Sequence, residues 1–343
     1  MVLPIEGRDI LLGGSKPGSM QNQGCIQLSC PAKINLALSV GAPLENGLHP
    51  LASWMVTIDF VETLTLHRID DKSASRFELS NASEPATAGN DHLTSTMRPQ
   101  VRIDWPIEND LTYRAHALME KQVGRPLPIH LSLGKRIPTG AGLGGGSSNA
   151  AATVVGLNRL FDLRLDDPTL RAIGQQLGSD VAFLMHATQG HGSALVSGLG
   201  DQIEPMPLAQ PIHLVLIFPG FGCPTGRVYG AFDQMHRNKP YPSTCRQSIR
   251  QMAEHLPLAP DAPRNDLAQA AFVVQPELGK IADRLHQQLQ MPVHVTGSGS
   301  TLFLVAPSAT ACAELAEKAT AATNLPAVTT QTLDPTPSRT PTQ

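Results

Sequence analysis

The sequence predicts a chain that mixes β-strands with α-helices and is long enough for two domains. At 343 residues, it suits two domains of medium size that share a cleft. Apolar residues alternate with small or polar ones from Ile26 to Val40, which is the period of a strand. The glycine-rich residues 138–146 lead directly into an alanine-rich stretch with the composition of a helix. We therefore expect strands and helices along the same chain, joined at one point by a glycine loop.

The composition argues against several classes of protein. Hydrophobic residues make up 41% of the chain, which is enough to fill a core, and the formal net charge is −3. Because the basic residues are scattered, nucleic acid is not an expected partner. No apolar run approaches the ~18 residues of a membrane span. The five cysteines are widely spaced and form no C-x-x-C pair, so we expect reduced thiols in a cytoplasmic protein without a disulfide framework or zinc site.

The two ends of the chain differ in composition from the rest. Residues 1–25 lack the long apolar core of a secretory signal, which favours a flexible leader. The segment after Thr329 is rich in Thr and Pro, which favours a flexible tail. We expect residues 1–25 and 333–343 to lie outside the folded domains.

The first half of the chain alternates between strand and helix patterns. Residues 71–106 are an exception, because they are polar, contain several prolines and show no clear period, so we expect a loop-rich insertion. The predicted segments are a strand over 25–40, a turn over 45–49, an apolar stretch over 51–66, a helix capped by Asn109 or Asp110, a strand over 128–137, and the glycine loop with a helix to about residue 161.

The second half contains more helix signals. Asp166-Asp167-Pro168 begins a helix with proline inside its first turn, and Ser179 is the expected cap of the next helix, which begins at Asp180. The remaining predicted segments are a strand and turn over 190–201, a domain boundary at 208–211, a strand over 212–218, helices that begin at 264–267 and span 278–289, a strand–turn–strand unit over 293–303, and a last helix over 309–323.

The glycine loop predicts a phosphate-binding site. A run of glycines loses much backbone entropy on folding, and the usual gain is the close approach of bare N–H groups to a phosphate. The residues that follow, Ser147, Ser148 and Asn149, are good helix caps, so the loop leads into a helix N-terminus that favours an anion. The alternative is a flexible linker, although linkers rarely run straight into an alanine-rich helix. The glycines are Gly140, Gly142, Gly144, Gly145 and Gly146.

Two familiar nucleotide loops match this segment less well. Gly140, Gly142 and Gly145 satisfy G-x-G-x-x-G, and Asp162 has the spacing of the acid that a dinucleotide fold requires. However, Asp162 follows a helical stretch rather than a strand, so the dinucleotide interpretation is weak. No Gly-Lys-Ser/Thr follows the glycines, which excludes a Walker A loop.

The string P-T-G-A-G-L-G-G-G-S-S-N-A-A, residues 138–151, closely resembles the ATP loop of the GHMP small-molecule kinases. It is most similar to the branch of that family that acts on 4-diphosphocytidyl-2-C-methyl-D-erythritol. The resemblance implies that ATP is bound by Pro138, Gly140, Gly142, Leu143, Gly144, Gly145, Gly146, Ser147, Ser148 and Asn149.

Two further motifs imply catalytic residues. P-A-K-I-N-L resembles the opening motif of the same branch, in which the lysine lies in the active site, so Lys33 is expected to be catalytic and Asn35 to contact substrate. L-G-S-D-V-A-F-L resembles a segment whose aspartate is the candidate base, which is Asp180 here. Without the resemblance, a lone lysine on a strand is usually solvated, although the apolar alternation around Lys33 favours burial or pairing. Asp180 would be an acid that stabilises a helix dipole.

The remaining motifs imply a cytidine site and a second loop. The branch has G-Y-H after its lysine, and here Gly47 and His49 match while Leu48 departs, so His49 is an expected contact to cytosine. P-T-x-x-V-(aromatic) makes Thr225 a substrate contact and Tyr229 the ring that stacks on cytosine. Gly297, Ser298 and Gly299 resemble the third motif of the family and are expected to contact substrate. The alternatives are that His49 is a surface histidine in a turn and that the turn at Gly297 is an ordinary hairpin turn.

The resemblance covers residues 26 to about 332 and implies the α+β class with two domains. Residues 26–208 are expected to resemble the second domain of ribosomal protein S5, and residues 209–332 to be ferredoxin-like, with the active site between them. The implied reaction is transfer of the ATP γ-phosphoryl group, with Mg²⁺, to the 2-hydroxyl of 4-diphosphocytidyl-2-C-methyl-D-erythritol in non-mevalonate isoprenoid biosynthesis. The Mg²⁺ ligands are not identified beyond the candidates Ser147 and Ser148. The chain is expected to be a monomer or homodimer.

Three other functions stay open at this point. A GHMP kinase for homoserine or mevalonate is the nearest, and the cytidine-site motifs argue against it. A nucleotide-binding regulator without catalysis would not need both Lys33 and Asp180. A dinucleotide oxidoreductase would be stabilised more by NAD(P)H than by ATP.

Overall fold

The computed structural model describes residues 24–82, 98–190 and 192–333, and within them it contains two sheets. The strands are β1 (Cys25–Val40), β2 (Leu51–Arg68), β3 (Arg76–Asn81), β4 (Ile129–Lys135), β5 (Ser193–Gly198), β6 (Gln202–Pro205), β7 (His213–Ile217), β8 (Arg264–Asn265), β9 (His294–Val295), β10 (Leu302–Ala306) and β11 (Ala327–Gln331). One sheet runs β3-β4-β2-β1-β8, with β5 also paired to β2 and β6 paired to β5. The other runs β11-β7-β10-β9.

Helices pack against both sheets. They are α1 (Leu111–Val123), α2 (Gly145–Leu160), α3 (Asp167–Leu177), α4 (Ser179–Ala187), α5 (Thr225–His236), α6 (Arg246–Glu254), α7 (Ala268–Val274), α8 (Pro276–Leu289) and α9 (Ala309–Thr323), with a 3₁₀ turn at Ile107–Asn109 before α1. Helices α1–α4 share a core with strands β1, β2 and β4, and helices α5, α7, α8 and α9 share a second core with the smaller sheet. The structure is thus a mixed helix-and-sheet fold, as the sequence predicts.

A third core lies between the two sheets. Trp54, Val56 and Ile58 of β2 pack there with Leu216 of β7 and Phe303 of β10. Because the larger sheet is covered on both faces, the second half of β1 is buried almost without interruption, as is usual for a strand with two covered faces. The two sheets therefore pack face to face, and the ends of their strands can meet at a common site.

Strand β1 changes its facing at a bulge. Its register with β2 shifts between Pro31 and Lys33. Leu28 and Cys30, before the shift, pack in the core under α1–α4, whereas Ile34, after it, packs in the core between the sheets. An extra residue on one strand moves the following side chains to the opposite face. Lys33 consequently points to the side of the sheet that carries α2 and α4.

Several sequence expectations are wrong in detail. The insertion 71–106 is not all loop, because β3 lies within it and pairs in parallel with β4, while residues 83–97 lie outside the described range. Arg264 and Asn265 do not begin a helix. They pair in parallel with β1, and α7 begins at Ala268. Helix α6 has no counterpart among the segments that the sequence predicts.

The predicted tail begins too early. Residues 327–331 form β11, an edge strand of the smaller sheet, and Thr332 forms an isolated bridge to Ile58. The N–H of Leu333 donates to the carbonyl of Thr57 at 2.8 Å. Strand pairing therefore holds the segment after Thr329 as far as Leu333. The leader prediction falls almost wholly on residues 1–23, which the structure does not describe, and the rest of the predicted tail falls on residues 334–343.

Candidate active site

Lys33 and Asp180 form an ion pair at the centre of the site. The Nζ of Lys33 lies 3.3 Å from Oδ2 of Asp180, which stands in the first turn of α4. The lysine side chain is only 5% exposed and that of the aspartate 24%, so the pair borders solvent on the Asp180 side. Burial of a lone ammonium would be costly, and the facing carboxylate offsets that cost. The structure thus brings the two predicted catalytic residues together.

Asn35 is bonded on all sides. Its Oδ1 accepts a 2.7 Å hydrogen bond from Lys33 Nζ, and its Nδ2 donates to Ser53 Oγ at 2.8 Å. Its backbone N–H donates to Thr296 Oγ1 at 3.1 Å, which ties β1 to the turn between β9 and β10. As the sequence predicts, Lys33 and Asn35 share one face of the strand. In this arrangement Asn35 orients the ammonium of Lys33.

The glycine loop closes against Lys33. The backbone N–H of Lys33 donates to the carbonyl of Leu143 at 2.9 Å. Gly144 has a φ of +68°, and a Cβ there would lie 2.9 Å from Cγ of Lys33. A Cβ at Gly142, whose φ is +78°, would overlap the carbonyl oxygen of Thr296. These two positions need glycine both for conformation and for space.

Helix α2 begins at the end of this loop. It starts at Gly145 and its N-cap is Gly144, so Ser147, Ser148 and Asn149 lie within its first two turns and do not cap it, contrary to the sequence expectation. The first N–H groups of a helix have no acceptor inside it and favour an anion. Along the loop, Pro138 is half-buried, and Gly140 and Gly146 are exposed.

The second glycine turn lies against the first. Gly297 is so close to Lys33 that a Cβ there would lie 3.3 Å from Nζ. Ser298 Oγ is 3.0 Å from Thr225 Oγ1, at the start of α5. The N–H of Gly299 donates to the carbonyl of Thr296 at 2.9 Å and closes the turn. The predicted residues Thr225, Gly297, Ser298 and Gly299 therefore meet at one edge of the site.

An aromatic pocket extends the site past His49. The ring of His49 lies 5.1 Å from that of Tyr229, with an interplanar angle of 46°, and 6.3 Å from that of Tyr241. His49 Nδ1 is 2.8 Å from the carbonyl oxygen of Gly41 and so carries a proton, and Nε2 is 3.4 Å from Asp233 Oδ1. The hydroxyl of Tyr241 also donates to that Asp233 oxygen, at 3.0 Å.

Tyr229 connects the aromatic pocket with the catalytic pair. Burial, and to a smaller extent the negative charge of Asp180, raise the pKa of the Tyr229 hydroxyl to about 12. Leu48, the departure from the family pattern, is 53% exposed. Trp54 is fully buried and donates to Ser193 Oγ at 3.0 Å, so it lies in the core and not in this pocket.

Four residues around the site were not found from the sequence. Asn265 Nδ2 donates to the carbonyls of Val295 and Gly297 at 2.8 and 2.7 Å, and so holds the second turn. Asp233 and Tyr241 support His49. Glu62 is a buried acid in β2, and an acid inside an apolar strand pattern was the one sequence signal that could have revealed it.

The described residues contain no cluster of three or more His, Cys, Asp or Glu side chains that could hold a metal. A Mg²⁺ ion in a kinase needs only one or two protein ligands, because phosphate and water oxygens supply the others. The first two turns of α2 offer such oxygens: the hydroxyls of Ser147 and Ser148, and Asn149 Oδ1, which is buried and has no hydrogen-bond partner among the described residues. These residues fit an ion that is held mainly by bound phosphate. Among the helices of the described segments, none has the length and apolarity to cross a membrane.

Comparison with known proteins identifies relatives. The model of the GHMP kinases N terminal domain matches residues 110–188. The 4-diphosphocytidyl-2-C-methyl-D-erythritol kinase of Caulobacter vibrioides (strain NA1000 / CB15N) is 32% identical over 299 residues, which cover 84% of this chain and 92% of that protein.

Solved structures agree with this similarity. A crystal structure of 4-(cytidine 5'-diphospho)-2C-methyl-D-erythritol kinase aligns with a TM-score of 0.69 at 27% identity, over 90% of this chain and 99% of that one. The homoserine kinase of Cytophaga hutchinsonii aligns with a TM-score of 0.62 at 14% identity, over 94% of this chain and 98% of that one, and so shows a shared fold alone.

Proposed function

The chain belongs to the 4-diphosphocytidyl-2-C-methyl-D-erythritol kinases of the GHMP family, and we propose how its residues divide the work of that reaction. The protein is an ATP-dependent kinase that phosphorylates the 2-hydroxyl of 4-diphosphocytidyl-2-C-methyl-D-erythritol in isoprenoid precursor biosynthesis. The observation that carries our assignment of roles is the Lys33–Asp180 pair: Lys33 lies against Gly144, the N-cap of α2, and the charge of Asp180 contributes to the raised pKa of Tyr229.

The glycine loop and the first turn of α2 bind the phosphates of ATP. Gly142 and Gly144 have no side chains, so the loop backbone can pack closely against its neighbours. The N-terminus of α2 directs its free N–H groups and its dipole at an anion. Such groups compensate negative charge without any movement at the moment of reaction. The remainder of this loop is formed by Pro138, Gly140, Leu143, Gly145 and Gly146.

Asp180 acts as the general base. Its carboxylate accepts the proton of the substrate 2-hydroxyl as that oxygen forms its bond to the γ-phosphorus, while the bond from the γ-phosphorus to the bridging oxygen of ADP breaks. Lys33 offsets the negative charge of the moving phosphoryl group from its position beside Asp180. Asn35 orients Lys33 through the 2.7 Å hydrogen bond.

Mg²⁺ would be held by Ser147, Ser148 or Asn149 together with phosphate oxygens. When bound, the ion supplies neutralisation of phosphate charge. The chain itself supplies oxygen ligands in the first two turns of α2, and the buried Oδ1 of Asn149 has no other hydrogen-bond partner among the described residues.

The aromatic pocket binds the cytidine end of the substrate. Tyr229 offers a ring for stacking, which is worth about 1–3 kcal/mol per base. His49 supports that ring from the side and is itself held by Gly41 and Asp233. Thr225, Ser298 and the backbone of Gly297 and Gly299 contact the part of the substrate between the base and the reacting hydroxyl. Gly297 lies against Lys33, and Ser298 lies within hydrogen-bond distance of Thr225 on the helix that carries Tyr229, which supports this role.

The chain divides into domains 26–208 and 209–332 in this proposal, with the first like domain 2 of ribosomal protein S5 and the second ferredoxin-like. The two sheets and their separate helical layers support the division. Strand β8 is the exception, because it joins the first sheet although it lies in the second half of the chain. The protein would act in the cytoplasm as a monomer or homodimer.

The test is a coupled assay of ADP release. We expect turnover with 4-diphosphocytidyl-2-C-methyl-D-erythritol and none with homoserine or mevalonate at equal concentrations. Faster turnover of homoserine or mevalonate would reassign the substrate. ATP binding without turnover of any of the three would favour a regulator, and stronger thermal stabilisation by NAD(P)H than by ATP would favour an oxidoreductase.

A further inference from the structure

A second buried ion pair lies at the end of β4, the strand that leads into the glycine loop. Glu62, in the middle of β2, is 1% exposed, and Lys135, the last residue of β4, is 4% exposed. The Nζ of Lys135 lies 3.0 Å from Oε2 of Glu62. Neither residue touches the Lys33–Asp180 pair in the contacts of the described chain, and the mechanism above does not use them.

The other oxygen of Glu62 binds the backbone that leads to the loop. Oε1 accepts two hydrogen bonds of 2.7 Å, one from the N–H of Arg136 and one from the N–H of Ile137. At these residues the chain leaves the sheet, because β4 ends at Lys135. A carboxylate that accepts several N–H groups makes strong, directional hydrogen bonds. Glu62 thus replaces the sheet pairing that the chain loses at this point.

Ile137 packs against the first residue of helix α2 and so connects the segment held by Glu62 with that helix. Its side chain fills the space beside Gly145, since a Cβ on Gly145 would lie 2.8 Å from Cγ2 of Ile137. Gly145 is the first residue of α2, whose N-terminus is the proposed phosphate site. A shift of Ile137 would therefore displace the N–H groups that bind phosphate. Contacts thus connect Glu62 with the start of α2 through the two N–H groups and the Ile137 side chain.

We propose that Glu62 is a positioning residue for the ATP loop, with Lys135 as the compensating charge that permits a buried carboxylate there. The proposal rests on the ATP-binding role of the loop given above. A buried ion pair is weak evidence for a contribution to stability, because apolar replacements of similar size are often neutral. An apolar side chain could not accept hydrogen bonds from the two N–H groups. Buried N–H groups without partners are costly, so the acceptor oxygen is the part of Glu62 that we expect to matter.

Two double variants separate the acceptor from the charge. Glu62→Gln with Lys135→Met and Glu62→Leu with Lys135→Met both remove the ion pair, and only the Gln side chain keeps an oxygen that can accept from the two N–H groups. Calorimetric titration with Mg²⁺ and ATP measures the ATP affinity of each variant without the alcohol substrate. We expect the Gln variant to bind ATP within about threefold of wild type and the Leu variant to bind about tenfold or more weakly.

Steady-state kinetics supplies the second readout. For the Leu variant, we expect KM for ATP to rise with the loss of affinity, while kcat at saturating ATP stays within about twofold, because Lys33 and Asp180 are untouched. Glu204→Gln is the matched control, since it removes the partly exposed carboxylate that pairs with Arg250, away from the loop. Its ATP affinity should equal that of wild type.

The outcomes distinguish this proposal from the function beneath it. Failure of the wild-type protein to bind ATP would overturn the function of the loop itself. ATP affinity that is equal in the wild type and in the folded Leu variant would overturn the role of Glu62 alone. A parallel loss in the Gln and Leu variants would transfer the role to the ammonium of Lys135.

Should the Leu variant not fold, Glu62→Asp tests the same point, because it keeps the charge and shortens the reach by one methylene. We expect its ATP affinity to fall with kcat preserved. Unchanged affinity in that variant would contradict the proposal.

Discussion

The Nζ of Lys33 lies 3.3 Å from the Oδ2 of Asp180. The lysine comes from β1 and the aspartate from α4, and the backbone N–H of the lysine donates to the carbonyl of Leu143 in the glycine loop. One charged pair is thereby fixed to the loop that binds phosphate. We therefore expect substitutions of the residues near this pair to have separate effects on catalysis and on binding.

Asp180→Asn should abolish turnover and leave ATP binding intact. Loss of a general base costs about 10²–10⁴-fold in rate. Asp167→Asn is the matched control, because Asp167 is also an acid in a first helical turn, but on α3 and exposed. ADP-release kinetics and ATP titration on both variants decide the role. Equal activity of the two would mean that Asp180 only stabilises its helix.

Lys33→Met should lower kcat more than it weakens ATP binding. Lys33 faces Asp180 and does not belong to the loop that carries the N–H groups. Lys280→Met, at an exposed pair on α8, should change neither quantity. If titration showed lost ATP affinity with kcat preserved, Lys33 would be a nucleotide-binding residue and not a catalytic one.

Gly144→Val should destroy ATP binding in a folded protein. A side chain there has an unfavourable φ of +68° and would collide with Lys33. Gly124→Val has the same φ, with nothing within 4 Å of a Cβ, so it carries the strain without the collision. We expect only Gly144→Val to lose ATP affinity by titration, with circular dichroism as the folding check. Retained affinity in Gly144→Val would show that phosphate binds elsewhere.

Leu48→Tyr should lower KM for the cytidine substrate by up to about tenfold and leave KM for ATP unchanged. Tyr229 covers one face of the base in our proposal, and exposed Leu48 offers no ring to the other. Tyr229→Ala should raise the same KM sharply.

Tyr241→Ala tests whether the second ring beside His49 already covers the other face of the base. A rise in KM comparable to that of Tyr229→Ala would assign Tyr241 to stacking. If neither Leu48→Tyr nor Tyr229→Ala moved this KM, the cytidine site would be wrong.

The Tyr229 hydroxyl should ionise at a pKa of about 12 and be neutral throughout the ordinary range of assay pH. Burial and the charge of Asp180 both disfavour the phenolate, so the folded-state pKa exceeds the usual value of 10. Any stability that this residue contributes is present below pH 10 and is lost as the pH rises from 10 to 12. Ultraviolet titration of wild type minus Tyr229→Phe measures the pKa. In Asp180→Asn it should fall, and an unchanged value would mean that Asp180 does not act on Tyr229.

The sequence by itself determined most of the elements and the motifs. The last helix has its predicted bounds, Ala309–Thr323, because capping and helix composition are local properties. The glycine loop between β4 and α2 was likewise predicted from the sequence. The pairing of Lys33 with Asn35 on one strand face also follows from the period of two.

The tertiary structure alone decided which face of the sheet Lys33 occupies and what it meets there. A register shift after Pro31 turns the following side chains to the opposite face of the sheet, and a period-two pattern does not predict such a shift. Asn265 looked like the start of a helix and became a strand residue that holds Gly297, because pairing with β1 outweighed its local preference. Glu62 reaches Arg136 and Ile137 only through the pairing of β2 with β4. Local sequence specifies conformation over a few residues, whereas the neighbours of a buried charge are set by chain segments that meet only after folding.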